Sequence, residues 1–168
     1  MLSIILSIII SQSTADTLLV KGTRNISYRL YISNDNLCFQ YQAGRNWSEP
    51  IILDSGDISE YSVALTTGDY LHIVWCKAGR VCYRTNDEPI TPMSVKDNRK
   101  PQLSPFIFIS TYFTEPAFNI SIKSTGEWIY AVWRVSNELQ PEVWARRRWL
   151  LDPPNEWEVP VNGSYYLK

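Results

Sequence analysis

One histidine, His72, and three cysteines, Cys38, Cys76 and Cys82, are all that the 168-residue chain offers to a soft or borderline metal. His72 stands between Leu71 and Ile73 with no cysteine or acid at ligand spacing, so it reads as structural and no metal is expected. Glycine-rich phosphate loops, a serine set in a glycine elbow and paired-histidine motifs are missing as well, and no cofactor is expected. No run of five like charges occurs, and 16 basic against 17 acidic residues leave a formal net charge of -1. That balance gives no electrostatic footprint for nucleic acid or for an anionic membrane. Long hydrophobic runs are scarce. The one at Leu2–Ile10 is too short to span a bilayer as a helix, so the mature chain is not expected to cross a membrane. Followed by Ser13-Thr14-Ala15, that run reads as a secretory signal over residues 1–15, with a first buried strand as the alternative. The expected location is therefore secreted or at the cell surface.

The odd cysteine count argues against a disulfide framework. Cys76 and Cys82 flank Lys77–Val81, the turn of an expected hairpin. A turn centred on Gly79 would set the two cysteines opposite each other and allow a bridge. A two-residue Ala78-Gly79 turn would instead pair Cys76 with Val81 and forbid it. Buried free thiols are the expectation.

Aromatic residues, by contrast, are plentiful, with seven Trp and ten Tyr in a composition that is 45% hydrophobic and 20% charged. Their bulk suits a well-covered pleated sheet, and the same rings line carbohydrate and peptide grooves. About 150 residues follow the leader, enough for a hydrophobic core.

The chain repeats itself. Tyr61–Trp75 and Phe118–Trp133 share a β-rich lead, then Thr-Gly-acid-aromatic-aliphatic, then Val-Trp. Gly68 and Gly126, and likewise Trp75 and Trp133, are offset by the same 58 positions. Each copy predicts a strand, a tight turn in which glycine supplies positive φ, and a second strand. Third strands follow at Val81–Arg84 and Val143–Arg146, and upstream at Leu37–Tyr41, where Ile26–Ser33 is the partner. Segment 141–151 could also open a helix from Pro141, but the repeat places a strand there. Tyr70 and Val74 would lie on one face of their strand, with Leu71, Ile73 and Trp75 on the other. Apolar residues on both faces mean sheets stacked on both sides. The expected fold is all-β: about three propeller-blade-like antiparallel sheets, an incomplete β-propeller, with units near 16–55, 56–105 and 106–168.

These residues resemble the sialidase-like repeat family, also called BNR or Asp-box repeats. Leu71-His72-Ile73-Val74-Trp75, Val81–Thr85 and Trp47-Ser48-Glu49-Pro50 carry the likeness, which covers most of residues 20–168. The family's Ser/Thr-x-Asp-x-Gly-x-x-Trp box is degenerate. Gly44 and Trp47 survive, while Gln40 and Gln42 replace the hydroxyl and the Asp; Asp152 and Trp157 survive, while Leu150 and Pro154 replace the hydroxyl and the Gly. The resemblance implies that the box is a structural turn and confers no activity. It also implies that catalytic members use three Arg from different blades, an Asp acid and a Tyr-Glu nucleophile pair. That constellation is not placed here. Arg146-Arg147-Arg148 are contiguous, so alternate side chains point to opposite faces, and they read as a solvated edge, with a local anion patch as the alternative.

Closed propellers need about four to eight blades. Three units imply a fragment or module that requires further blades or self-association, and catalysis is not favoured. The expected function is a non-catalytic secreted or cell-surface propeller module that binds glycan or extracellular protein. Arg84, Tyr112 and Trp149 are the candidate contacts. The alternatives are part of a sialidase-like glycoside hydrolase without its complete active site, and a purely structural β-domain. Four Asn-x-Ser sequons, at Asn25, Asn46, Asn119 and Asn162, are candidate glycosylation sites for a chain in a eukaryotic secretory route.

Overall fold

The computed structural model describes residues 12–13, 17–66, 68–86, 88–96, 101–110, 116–136 and 142–163. Apart from Gln12–Ser13, the expected leader lies outside the described residues, and so does Tyr112. The described chain is nearly all β, in three antiparallel sheets, none closed into a barrel.

The first sheet is a four-stranded meander of β2 (Leu18–Lys21), β3 (Ile26–Ser33), β4 (Asn36–Ala43) and β5 (Ile51–Ser55). The second follows the same order with β6 (Ile58–Thr66), β7 (Tyr70–Lys77), β8 (Arg80–Thr85) and β9 (Ile107–Phe108). The short β1 (Gln12–Ser13) is added at its β6 edge, opposite Tyr61 and Glu60. The third sheet is β10 (Ala117–Thr125), β11 (Trp128–Val135), β12 (Glu142–Trp149) and β13 (Val161–Asn162). Glu142–Trp149 thus forms a strand rather than a helix, with Pro141 outside the described residues, while the one helix among the described residues is the short α1 (Pro92–Lys96).

Turn chemistry fixes the registers. Asn34 and Asp35 both take positive φ, the two-residue hairpin geometry that matches strand twist. Ala78 and Gly79 do the same, at +47° and +76°, and this settles the cysteine question. Cys76 pairs with Val81 and Trp75 with Cys82, so Cys76 and Cys82 point to opposite faces and both are free and buried.

The three sheets stack face to face, and β7 explains why its sequence is apolar throughout. Leu71, Ile73 and Trp75 join Ile26, Leu30, Phe39 and Leu53 of the first sheet in one core. Val74 and Cys76 join Ile120, Ile122, Ile129 and Trp133 of the third in another. Trp75 and Trp133 are fully buried in these two cores. Truncating either to Ala should cost about 3–5 kcal/mol through lost burial and the cavity left behind.

The first strands of the second and third sheets lie side by side. Glu60 Oε2 accepts from the Ile120 N–H at 3.0 Å, Ser62 Oγ accepts from the Ile122 N–H at 3.3 Å, and Ser124 Oγ donates to the Leu65 carbonyl at 3.2 Å. Partners separated by nearly constant numbers mean that β6 and β10 run in the same direction, as inner strands of successive blades do.

Candidate functional site

Polar side chains that look available in the sequence are largely used to tie one sheet to the next. Asp69, in the Gly68-Asp69 turn, is buried and reaches back to the first sheet. Its Oδ1 accepts from the Thr23 N–H and Oγ1 at 2.7 and 2.9 Å, and Oδ2 accepts from the Arg24 N–H at 2.9 Å. Asp54 accepts from Trp75 Nε1 at 2.9 Å and pairs with Lys77 at 2.6 Å. Burial alone would raise the Asp54 carboxyl, but Lys77, the Ser55 N–H and the Trp75 N–H outweigh it and hold the group below the usual carboxylate range. Arg84 donates to the Ser104 carbonyl and, at 3.1 Å, to the Leu53 carbonyl of the first sheet.

Between the second and third sheets lies a dry polar chain. Arg148 Nη1 donates to the Tyr83 hydroxyl at 2.8 Å, Tyr83 Oη lies 2.7 Å from His72 Nδ1, and His72 Nε2 lies 3.2 Å from Thr66 Oγ1. The phenol accepts from Arg148, and its own hydrogen is assigned to Nδ1, which leaves the imidazole proton on Nε2, toward Thr66. Burial, and secondarily the Arg148 charge, push His72 down from 6.5 to about 3.

The expected solvated edge at Arg146–Arg148 does not form. Alternation holds, with Arg147 on one face and its neighbours on the other. Yet β12 is an interior strand, paired with both β11 and β13, and the chain after it folds back over the inner face. Arg148 is only 3% exposed and also donates to the Leu150 and Asp152 carbonyls. Arg146 donates to the carbonyls of Ile109, Trp157 and Glu158.

Both degenerate boxes are closed turns. Gln42 Nε2 donates to the Arg45 carbonyl at 2.8 Å and Gln40 Nε2 to the Ser48 carbonyl, so two amides span the loop in which Gly44 sits at φ +95°. The Trp47 ring lies under the Arg29 guanidinium, 4.4 Å from its centroid. In the second turn the Asp152 N–H donates to the Trp149 carbonyl, and Trp157 Nε1 donates to the Pro154 carbonyl. The Trp157 ring meets Tyr83 edge-on, with centroids 4.9 Å apart.

What remains open is the outer face of the third sheet. Gly126, at φ +58°, begins the two-residue turn from β10 into β11, and the pairing of β11 with β12 sets Trp128 opposite Trp149 and Tyr130 opposite Arg147, all four on one face. Arg147 lies over the Trp128 ring at 4.2 Å and pairs with Glu158 at 2.6 Å. Trp149 is 36% exposed, and its indole N–H donates to Glu127 at 3.1 Å. Beside them is a shallow cleft of about 170 Å³ bounded by Tyr130, Ala145, Arg147, Glu158 and Val161. Of the eight exposed large hydrophobics among the described residues, Trp149, Leu151, Val159 and Val161 come from this one stretch of chain. Exposed apolar groups gathered in that way mark a contact surface. The face can stack rings and exchange hydrogen bonds through a guanidinium and a carboxylate.

Of the expected contacts, Trp149 belongs to this face. Arg84 is spent between the first two sheets and shares no partner with it. Trp128, Tyr130 and Glu158 were not singled out in the sequence, and Arg147 was read there only as part of the arginine run. The Gly126-Glu127 turn fixes only the register of β10 with β11, so no local signal aligned Trp128 with Trp149 across β11 and β12. No protein-family model matches this chain, and a search of the curated proteins finds no match.

Proposed function

We propose that this chain is a secreted or cell-surface binding module of the sialidase-like propeller kind, without catalysis of its own, that holds a glycan on the outer face of its third sheet. The observation that carries the reading is the pairing of Trp128 with Trp149 on an uncovered face, with Arg147 and Glu158 fixed beside them. A sugar ring presents an apolar C–H face edged by hydroxyls. Trp149 supplies a flat apolar partner for the first, and Arg147 and Glu158 supply a donor and an acceptor for the second. Both tryptophans are oriented in advance, one by Glu127 and the other by Arg147, which lowers the ordering cost of binding. The cleft is smaller than the roughly 300 Å³ at which pockets begin to enclose a whole small molecule, so the ligand would lie along the face. An extended protein partner is the competing occupant.

The test is an immobilised glycan panel probed with the folded chain and with Trp149→Ala and Trp128→Ala. Saturable binding without turnover, weakened about tenfold or more by either substitution, is the expected result. A folded chain that binds nothing on the panel, or binds unchanged in both variants, would refute it.

A further inference from the structure

We propose a second, separate site: a cleft at the loop end of the first sheet that takes a tetrahedral oxyanion, a sulfate or phosphate group. The cleft holds about 330 Å³ and is bounded by Arg24, Asn25, Ala43 and Gly44 on the sheet side and by Pro92 and Lys96 of α1 on the other. Its charged lining is of one sign. The Arg24 guanidinium and the Lys96 ammonium have no hydrogen-bond or ion-pair partner among the described residues. Asp69 is the acid beneath the Arg24 loop, and it is buried with both oxygens already bonded to Thr23 and Arg24 backbone and hydroxyl groups.

Two like charges facing across a concavity repel, and a fold free to choose would set a carboxylate between them. A cleft of one sign instead concentrates counter-ions, because its low-dielectric walls focus the field. The sheet-side wall is set in advance. Asp69 pins the backbone at Thr23 and Arg24, Asn25 sits at φ +60° and Gly44 at φ +95°, which lowers the ordering cost on that side. Cations from opposing walls favour an anion with oxygens in several directions. A sulfate or phosphate meets both, whereas the two oxygens of a carboxylate point one way and satisfy the Arg24 fork alone.

This inference does not rest on the glycan face, and its test keeps the two apart. The intact chain is titrated calorimetrically with inorganic sulfate, with inorganic phosphate, and with a sulfated oligosaccharide. The same titrations are run on Arg24→Ala, Lys96→Ala and, as a control, Trp149→Ala. Both cations are exposed, so the variants should keep the parent circular dichroism spectrum. The expected result is saturable 1:1 binding of at least one probe that weakens as salt rises, drops about tenfold in each cation variant and is untouched in Trp149→Ala. Equal affinity for the simple ions would identify a free oxyanion as the ligand. Binding of the oligosaccharide alone would identify an ester on a polymer. No saturable binding of any probe, or binding indifferent to both Arg24→Ala and Lys96→Ala, overturns the proposal.

Discussion

Lowering the pH should unlock the second and third sheets from each other, and His72 is the residue that decides where. Its imidazole is 2% exposed, accepts from Tyr83 and has Arg148 one residue further along the same chain of hydrogen bonds. A proton on Nδ1 would confront the Tyr83 hydroxyl with a donor where it now has an acceptor, and would add a second cation to a dry seam. The group titrates near 6.5 when unfolded and near 3 when folded. Its folded value is depressed, so between those values only the unfolded chain takes up the proton. The contribution is fully present above 6.5 and is lost as pH falls, by about 1.4 kcal/mol per pH unit. By pH 4 the loss should reach about 3 kcal/mol, a large part of a typical domain's stability.

Urea unfolding of the parent and of His72→Gln at several pH values between 7 and 4 isolates this effect. Glutamine keeps an acceptor for Tyr83 and a donor for Thr66 but carries no charge in that range. The parent's unfolding free energy should fall steeply below pH 6.5, while that of the variant should stay nearly flat. Asp54 does not confuse the comparison. Its carboxyl is held below 3.8, so its stabilisation is present above that value and is lost only at lower pH. Parallel curves for the two proteins down to pH 4 would refute the account of His72 as a buried neutral lock.

Two other perturbations test the seams. Asp69→Ala strands the Thr23 and Arg24 N–H groups and should lower stability by about 2–4 kcal/mol, read from urea midpoints at constant slope. A loss under about 0.5 kcal/mol would mean that water replaces the carboxylate. The three thiols should resist a thiol-reactive dye in the native state at pH 8 and react together on unfolding, since all are buried and burial pushes Cys82 up to about 12. Fast labelling of the folded chain would show that the sheets open far more readily than these cores suggest.

The fold was legible because it rests on local signals that repeat. Gly68 and Gly126 mark equivalent turns, Trp75 and Trp133 equivalent second strands, and the two-sided hydrophobicity of Tyr70–Lys77 required a sheet on each side. Partners across sheets were not legible, since they depend on which loop end meets which. Asp69 and Glu127 occupy the same place in the repeated motif, yet Asp69 is buried under the neighbouring sheet and Glu127 holds an exposed indole. The same limit hid Arg148. Three adjacent arginines look like a wet edge until the chain at 150–158 is seen to fold over two of them. Trp149 could be named because a tryptophan near the end of a polar strand stands out, whereas Trp128 sat inside a motif that had already been assigned to packing.

The allocation of arginines bears most directly on function. Where a strand ladder stops, carbonyls are left without partners, and a guanidinium with five donors can satisfy several at once. Arg84 serves two carbonyls from two sheets, Arg146 serves three, and Arg148 serves two carbonyls and a phenol. Turning any of these toward a substrate carboxylate would strand carbonyls, at a cost of about 1–3 kcal/mol for each one that is buried. A three-arginine clamp cannot be assembled from these three while the sheets stay docked. Arg147 and Arg24 differ in kind. The first is stacked on a half-buried ring and paired with an exposed acid, and the second faces a basic cleft with no side-chain partner among the described residues. They lie on the third and the first sheet respectively, at opposite ends of the stack, so they cannot share one small ligand. That separation is why the two sites are argued as independent, each with an arginine that the fold does not need for itself.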